Sequence, residues 1–208
     1  MLDLDRLCKQ CQIEPRGVIH VGAHEGQELS RYNAMGFSRI LFIEANPVVY
    51  KRLYRNVGSS PHVQTANVAV SDQNGTTQLH VMSFDQSSSI LPLKRHKDIY
   101  PSIKEEFQIT VPTRTLDTLC AELQLAPGDY NVLNMDIQGA ELLALKGATQ
   151  ILPHIEAINT EVNFEELYEN GALIGQLDAF LQPYRFTRVE TVTPYHSSWG
   201  DAFYVKER

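Results

Sequence analysis

Apolar residues fall along this chain in short blocks of two alternating kinds. The runs at 17–21, 39–44, 63–70, 130–136 and 157–162 are rich in Val, Ile, Leu and Phe and are bordered by turn-forming residues, so each predicts a strand. Between them, 27–35, 47 to about 56, 115–123, 139–147 and 173–181 space their apolar residues for one buried helical face. In 139–147 that stripe is Leu142, Leu143 and Leu145. Gly36 offers a left-handed C-cap and Pro47 suits a first helical turn. Residues 2–13 carry a looser helical period through Leu2, Leu4, Leu7, Cys11 and Ile13, before Pro15-Arg16-Gly17 breaks the chain. Strands alternating with helices predict a mainly parallel, doubly wound α/β sheet covered on both faces. Closing strands at 184–192 and 202–206, joined by a turn at 193–201, add an antiparallel strand near the C-terminus.

Two stretches interrupt this rhythm. Asn74-Gly75 is a strong hairpin signal leading into an alternating strand at 76–82. Residues 83–107 are polar and serine-rich at first, then carry Pro92, Pro101 and mixed charge. They predict a long excursion over one face, a lid or acceptor-recognition segment, before a short strand at 108–111. With 208 residues and no Pro/Gly/Ser-rich linker, the chain is expected to form one domain, with 1–16 as a helical extension.

Composition narrows the function. A hydrophobic fraction of 43% supports a full core, and a net charge of −7 argues against a general nucleic-acid binder. No apolar run approaches the roughly 20 residues of a membrane span. The charged start, with Asp3, Asp5 and Arg6, lacks a signal-peptide core, so a cytoplasmic location is expected. Three cysteines, Cys8, Cys11 and Cys120, do not suggest a disulfide framework, and Cys8-x-x-Cys11 has no second ligand pair at zinc spacing.

The candidate chemistry starts at Val18-Ile19-His20-Val21-Gly22-Ala23-His24-Glu25-Gly26. Leu41-Phe42-Ile43-Glu44 follows and ends in a carboxylate 22 positions after Gly22. A carboxylate about 20 residues beyond a glycine turn holds the ribose hydroxyls of a nucleoside cofactor in doubly wound folds. The turn reads G-x-x-x-G, without the middle glycine that a pyrophosphate needs, and no P-loop is present. A cofactor with a ribose and no phosphate fits better, and S-adenosylmethionine is such a molecule. Gly22, with Ala23 and His24 on the same turn, lets the backbone approach it. Glu44, with Ala45 beside it, accepts from the ribose. Asn67 and Val68 lie where an adenine edge is read, and Asp136 closes its strand beside the sulfonium. Taken singly, a glycine turn or a solvated strand-end carboxylate is an ordinary scaffold feature.

At these residues the chain resembles the FkbM family of S-adenosylmethionine-dependent methyltransferases. The resemblance runs through Ile19-His20-Val21-Gly22-Ala23-His24-Glu25-Gly26-Gln27, Phe42-Ile43-Glu44-Ala45-Asn46-Pro47 and Asn67-Val68-Ala69-Val70-Ser71-Asp72. It continues in Ser87-Ser88-Ser89, Thr115-Leu116-Asp117, Met135-Asp136-Ile137-Gln138-Gly139-Ala140-Glu141 and Glu161-Val162-Asn163. The Thr-Leu-Asp segment followed by Asp-x-x-Gly-Ala-Glu is its most diagnostic part. It implies a class I methyltransferase fold with a seven-stranded sheet, and methyl transfer mostly to hydroxyls of sugars, lipids or natural products. It carries Gly22, Glu44 and Asp136 over as cofactor-region residues. Gln138 departs from the acidic residue common at that place.

An alcohol is a poor nucleophile at neutral pH, so a base or a metal should help remove its proton. Ligands of open α/β sheets sit beyond the carboxyl ends of the strands. That selects Asp136 and Glu161 for polar work at the acceptor, with Asn163 nearby, and His196 as the candidate base; a solvated loop histidine is an equal reading. Trp199 is a stacking platform for a sugar ring or is packed on the sheet edge. The resemblance implies that Ser88, within Ser87–Ser89, contacts the acceptor or the cofactor; Lys94-Arg95-His96-Lys97 meets an anionic acceptor or is simply solvated, and Arg114 is a further contact for such an acceptor. Asp136, Glu161 and Asn163 are oxygen donors, but their spacing is not diagnostic and no metal is expected. The expected partner is a small-molecule or glycan hydroxyl. A catalytically silent nucleoside-binding module is the alternative, and a nicotinamide oxidoreductase would need the missing glycine.

Overall fold

The computed structural model describes residues 2–58 and 60–207. In chain order the first half runs α1 (Leu4–Gln10), β1 (Gly17–Val21), α2 (Leu29–Met35), β2 (Arg39–Ile43), α3 (Pro47–Val57), β3 (Val63–Ala66), β4 (Ala69–Val70), β5 (Gly75–Met82) and α4 (His96–Ile99). The second half runs β6 (Glu105–Arg114), α5 (Leu116–Glu122), β7 (Val132–Met135), α6 (Glu141–Lys146), β8 (Ala157–Asn163), α7 (Ile174–Leu181), β9 (Phe186–Val192) and β10 (Trp199–Lys206). A seven-stranded sheet has the order β3-β2-β1-β7-β8-β10-β9. Its first five strands are parallel, and β10 runs antiparallel to both β8 and β9. The expected doubly wound sheet with a returning strand near the C-terminus is therefore present.

Strand β1 shows why the sheet is covered twice. All five of its residues are buried, because successive side chains point to opposite faces and both faces are occupied. Ile19 and Val21 join Leu133 and Ile158 under Leu116 and Leu119 of α5, Leu145 of α6 and Leu177 of α7. Val18 joins Ile40, Phe42 and Phe203 under Leu7 of α1, Tyr32 of α2 and Leu53 of α3. Each such fully buried aliphatic or aromatic side chain contributes roughly 1.5–3 kcal/mol relative to exposure. Local chemistry sets the ends. Asn46 Oδ1 accepts from Val48 N at 3.0 Å with Pro47 behind it, and Gly36 closes α2 at φ 91°. Thr115 caps α5, and the adjacent Asp117 accepts from Gln150 N and Ile151 N, fastening α5 to the segment after α6.

Several expected boundaries are corrected. The run at 63–70 is two strands, β3 in the large sheet and β4 in a second sheet of order β4-β6-β5. Asn67 marks the break: its amide donates to the carbonyls of Glu44 at 2.8 Å and Ala45 at 3.1 Å, in place of continuing the strand. Asn74-Gly75 does not make a hairpin between neighbouring strands. The ten-residue β6 lies between β4 and β5, while the Asn74 side chain accepts from Thr115 N and donates to Thr118 Oγ1. The expected short strand at 108–111 is this longer β6, whose start is solvent-exposed and so lacks an apolar signature. The turn at 193–201 is shorter than expected, because Trp199 already belongs to β10.

Candidate active site

The strand order places β1 beside both β2 and β7, so successive connections lead away to opposite sides at the β1–β7 border. A crevice forms at such a switch point, beyond the strands' carboxyl ends. A cavity of about 190 Å³ lies there. Gly22, Ala23, His24, Glu44, Ala45, Val68, Ser88 and Asp136 all border it.

Gly22 is at φ 82°, and a Cβ added there would sit 1.9 Å from the Asp136 carbonyl oxygen. Only glycine allows the ends of β1 and β7 to meet this closely. The turn then carries His24 at φ 47°. The Glu44 carboxylate supports that turn, accepting from His24 N at 3.0 Å on Oε2 and from Asn46 N at 2.8 Å on Oε1. Burial pushes the Glu44 carboxyl up to about 7, against the two backbone donors that favour its charge. Two amides use only part of a carboxylate's acceptor capacity, so Glu44 keeps lone pairs for a ligand. Asn67 does not border the cavity with the others; both carbonyl contacts of its amide shape the β2 end instead.

The excursion roofs the crevice. Asp85, Gln86, Ser88, Ser89 and Ile90 border it. His24 Nε2 donates to Asp85 Oδ1 at 3.0 Å while Nδ1 accepts from Gln27 at 2.8 Å, a tautomer assigned from its partners. Arg52 of α3 pairs with the other oxygen of Asp85 and, through Nε at 2.7 Å, with Glu25. Burial raises the Asp85 carboxyl, but Arg52 and His24 outweigh it and hold it below the usual range. Inside the crevice, His20, Tyr32, Asn134 and Asn159 form a polar chain. Asn159 donates to Asn134 Oδ1 at 2.6 Å and Asn134 donates to the Tyr32 hydroxyl at 3.0 Å, which lies 3.2 Å from His20 Nδ1. Burial depresses His20 to about 3, so it is neutral. Asn159 Oδ1 is buried and has no hydrogen-bond partner among the described residues.

Asp136 and Glu161 come together, through an intermediary that sequence reasoning noticed only as a departure. Gln138 Nε2 donates to Asp136 Oδ1 at 2.6 Å and to Glu161 Oε2 at 2.7 Å. Asp136 is exposed to the crevice, and its carboxyl is raised, first by desolvation. Glu161 is 5% exposed and is raised well above the usual range by burial and then by Asp136. Glu161 reaches the crevice by way of Gln138 and Asp136 and is not itself on the cavity wall. Glu141 accepts from Ile137 N at 3.0 Å and Gly139 N at 3.3 Å, so it shapes the loop between them.

The remaining candidates lie apart. His196 is exposed on the loop before β10 and accepts from Ser198 N at 3.2 Å. Trp199 stacks on Tyr195 with centroids 5.6 Å apart and donates from Nε1 to the Tyr100 hydroxyl at 3.1 Å. Trp199 pairs in register with Asn163, which is buried and whose Oδ1 has no partner among the described residues. Arg114 lies outside the crevice, on β6 in the second sheet, and pairs with Glu122 at 2.9 Å. Residues missed from sequence are Asp85, Gln86, Tyr168, Asn134 and Asn159. Asn134 had a usable signal, a polar side chain inside an otherwise apolar strand, whereas Asn159, in a strand of mixed polarity, and Tyr168 had none.

The Methyltransferase FkbM domain matches residues 20–187. The chain is 31% identical over 183 residues to the 2-O-methyltransferase NoeI of Sinorhizobium fredii, covering 82% of this chain and 74% of that protein. Among solved structures, it is similar to an FkbM methyltransferase from Methylobacillus flagellatus (TM-score 0.59, 15% identity, 92% of this chain). It spans only 44% of that protein. The magnesium protoporphyrin IX methyltransferase of Synechocystis, solved with bound S-adenosylmethionine, shares the fold at a TM-score of 0.54 and 8% identity, over 98% of this chain and 76% of its own. The match over most of the chain settles the family: this protein belongs to the FkbM methyltransferases.

Proposed function

We propose that the protein transfers a methyl group from S-adenosylmethionine to a hydroxyl of a sugar or glycan. One observation carries the cofactor half of this reading: Glu44 at the end of β2 and Asp136 after β7 face one cavity across the tight Gly22 turn. The residues present fit the cofactor. Glu44 has acceptor capacity for the ribose hydroxyls, Val68 borders the place for the adenine, and Asn159 Oδ1, which has no hydrogen-bond partner among the described residues, suits an ammonium group. Bound there, S-adenosylmethionine supplies an electrophilic methyl carbon on a sulfonium. The chain's own work is to orient the acceptor and take its proton, and alignment alone supplies much of such a rate enhancement. Asp136 is the cavity-facing carboxylate for that proton, and Glu161 lies behind it.

Two features support a carbohydrate acceptor. The relative from Sinorhizobium fredii is named a 2-O-methyltransferase. Trp199, stacked on Tyr195, begins β10 two residues before Asp201, which pairs in register with Glu161. Flat aromatic faces of this kind suit the apolar face of a sugar ring. Calorimetric titration with S-adenosylmethionine and with NAD, followed by labelled methyl transfer to a set of glycans and sugar nucleotides, tests the proposal. Binding of the methyl donor and label on a sugar oxygen are expected. Preferential NAD binding, or label carried only by non-carbohydrate acceptors, overturns it.

A further inference from the structure

Gln138 occupies an unusual place: one primary amide has all of its polar atoms committed to acidic or phenolic groups. Its two N–H bonds are spent on Asp136 Oδ1 at 2.6 Å and Glu161 Oε2 at 2.7 Å. Its oxygen accepts from the Tyr168 hydroxyl at 2.5 Å. With the amide oxygen on the Tyr168 hydroxyl, both N–H groups face the two carboxyl groups, an orientation assigned from its partners because an ionised Asp136 cannot donate to an amide oxygen.

The loop does not depend on the Gln138 side chain for its shape. Glu141 holds Ile137 N and Gly139 N, and Ser89 Oγ donates to the Gln138 carbonyl at 2.8 Å. Gly139, at φ 94°, lies against the Tyr168 ring, where an added Cβ would come within 2.7 Å. The amide is therefore aimed by its surroundings, and its contacts with the two carboxyl groups are free to serve a different purpose.

We propose that Gln138 is a positioning residue that joins Asp136 and Glu161 into one proton-sharing unit, with Asp136 as the ionised, cavity-facing member and Glu161 as the protonated member behind it. Two carboxyl groups donated to by one nitrogen lie too close to carry two full charges inside the protein. Asp201 of β10 and Glu141 of α6, both acidic, make double ionisation harder still, whereas the His24 imidazole on the turn after β1 favours the charge on Asp136. The Tyr168 phenol, itself beside Tyr100, stays neutral and adds no charge. Glu161 is the more enclosed of the two and keeps the proton; Asp136 opens to the crevice and keeps the charge. A charge stabilised by the Gln138 donor can then accept the proton of an acceptor hydroxyl. Only the identity of that proton donor rests on the O-methyltransferase reading above.

The test uses the whole protein without methyl donor or acceptor. Carbon-13 NMR of labelled Asp and Glu carboxyls should show Asp136 and Glu161 titrating as a coupled pair, the upper step belonging to Glu161 and lying well above the usual carboxylate range. Gln138→Met preserves chain length and removes both donors; it should move the lower step up by about one pH unit, the size of one lost hydrogen bond to a charged group. Tyr168→Phe should shift it the same way by less. In turnover, the rising limb of the kcat profile should move with the NMR step, while KM for the methyl donor stays within about twofold. Independent titration of both carboxyls in the ordinary range overturns the proposal. So does a Gln138→Met variant that is slower with an unmoved pH profile, the behaviour of a merely structural residue. Failure of the wild-type protein to bind S-adenosylmethionine sinks the functional reading instead, and the NMR titration still decides the pair.

Discussion

The backbone amide of His24 lies 3.0 Å from Glu44 Oε2, so the turn after β1 and the carboxylate after β2 are built as one unit. The same His24 reaches Asp85 with its ring. One residue in the left-handed region thus links the glycine turn, the strand-end carboxylate and the roof of the crevice.

Glu44 should control affinity for the methyl donor. Loss of hydrogen bonds to a charged acceptor costs about 1.5–3 kcal/mol, so Glu44→Ala should weaken binding roughly tenfold to a hundredfold. The dependence on pH has a definite sign. In the free protein the Glu44 carboxyl sits at about 7, and only its ionised form accepts from both ribose hydroxyls. Affinity should fall as pH drops through that value and level off above it. Calorimetry across pH checks both points, and a Glu44→Gln variant should lose the pH dependence along with the affinity.

Glu161→Gln should separate turnover from binding. Glu161 stands behind Gln138 and Asp136 and away from the cavity wall. Removing its ionisable proton should lower kcat by about a hundredfold, the scale of proton-transfer assistance, with the methyl-donor Kd within about twofold. Steady-state kinetics beside calorimetry measures the split, and equal losses in both would remove Glu161 from the proton-handling unit.

Asp85→Asn should loosen the roof with little effect on global stability. Asp85 is contacted by both His24 and Arg52, but the side chains of Asp85 and Arg52 are 33% and 38% exposed. Solvent-screened pairs of this kind contribute about 0–1 kcal/mol. Faster hydrogen exchange confined to residues 83–89, with Tm nearly unchanged, is the expected result. Uniformly faster exchange would place the contact in the global fold instead.

Trp199→Ala should raise KM for a sugar acceptor by about tenfold, a loss on the scale of aromatic contact energies. Because Trp199 touches Tyr195 and Tyr100 and does not border the cofactor crevice, the methyl-donor Kd should stay unchanged. Kinetics with the two substrates varied separately distinguishes these effects.

Much of the architecture is legible in the linear chain because its signals are local. Ile19 and Val21 alternate with Val18 and His20 along one strand, Gly36 ends a helix through its own backbone, and Gly22 and Glu44 mark strand ends next to their own turns. The break at Asn67 was hidden, since the carbonyls that capture its amide belong to residues 22 and 23 positions away. For the same reason β6 could not be foreseen between β4 and β5: its polar start gains order only by pairing with a partner strand. The amino-acid order by itself determined which segments become strands and helices and which carboxylates stand at strand ends, because those depend on neighbours along the backbone. Only the tertiary structure decided that Gln138 would bridge Asp136 to Glu161 under a hydroxyl from Tyr168, and that Arg114 would lie outside the crevice. Those outcomes depend on how distant segments pack, and a side chain's partner across the fold leaves no periodic trace in the sequence.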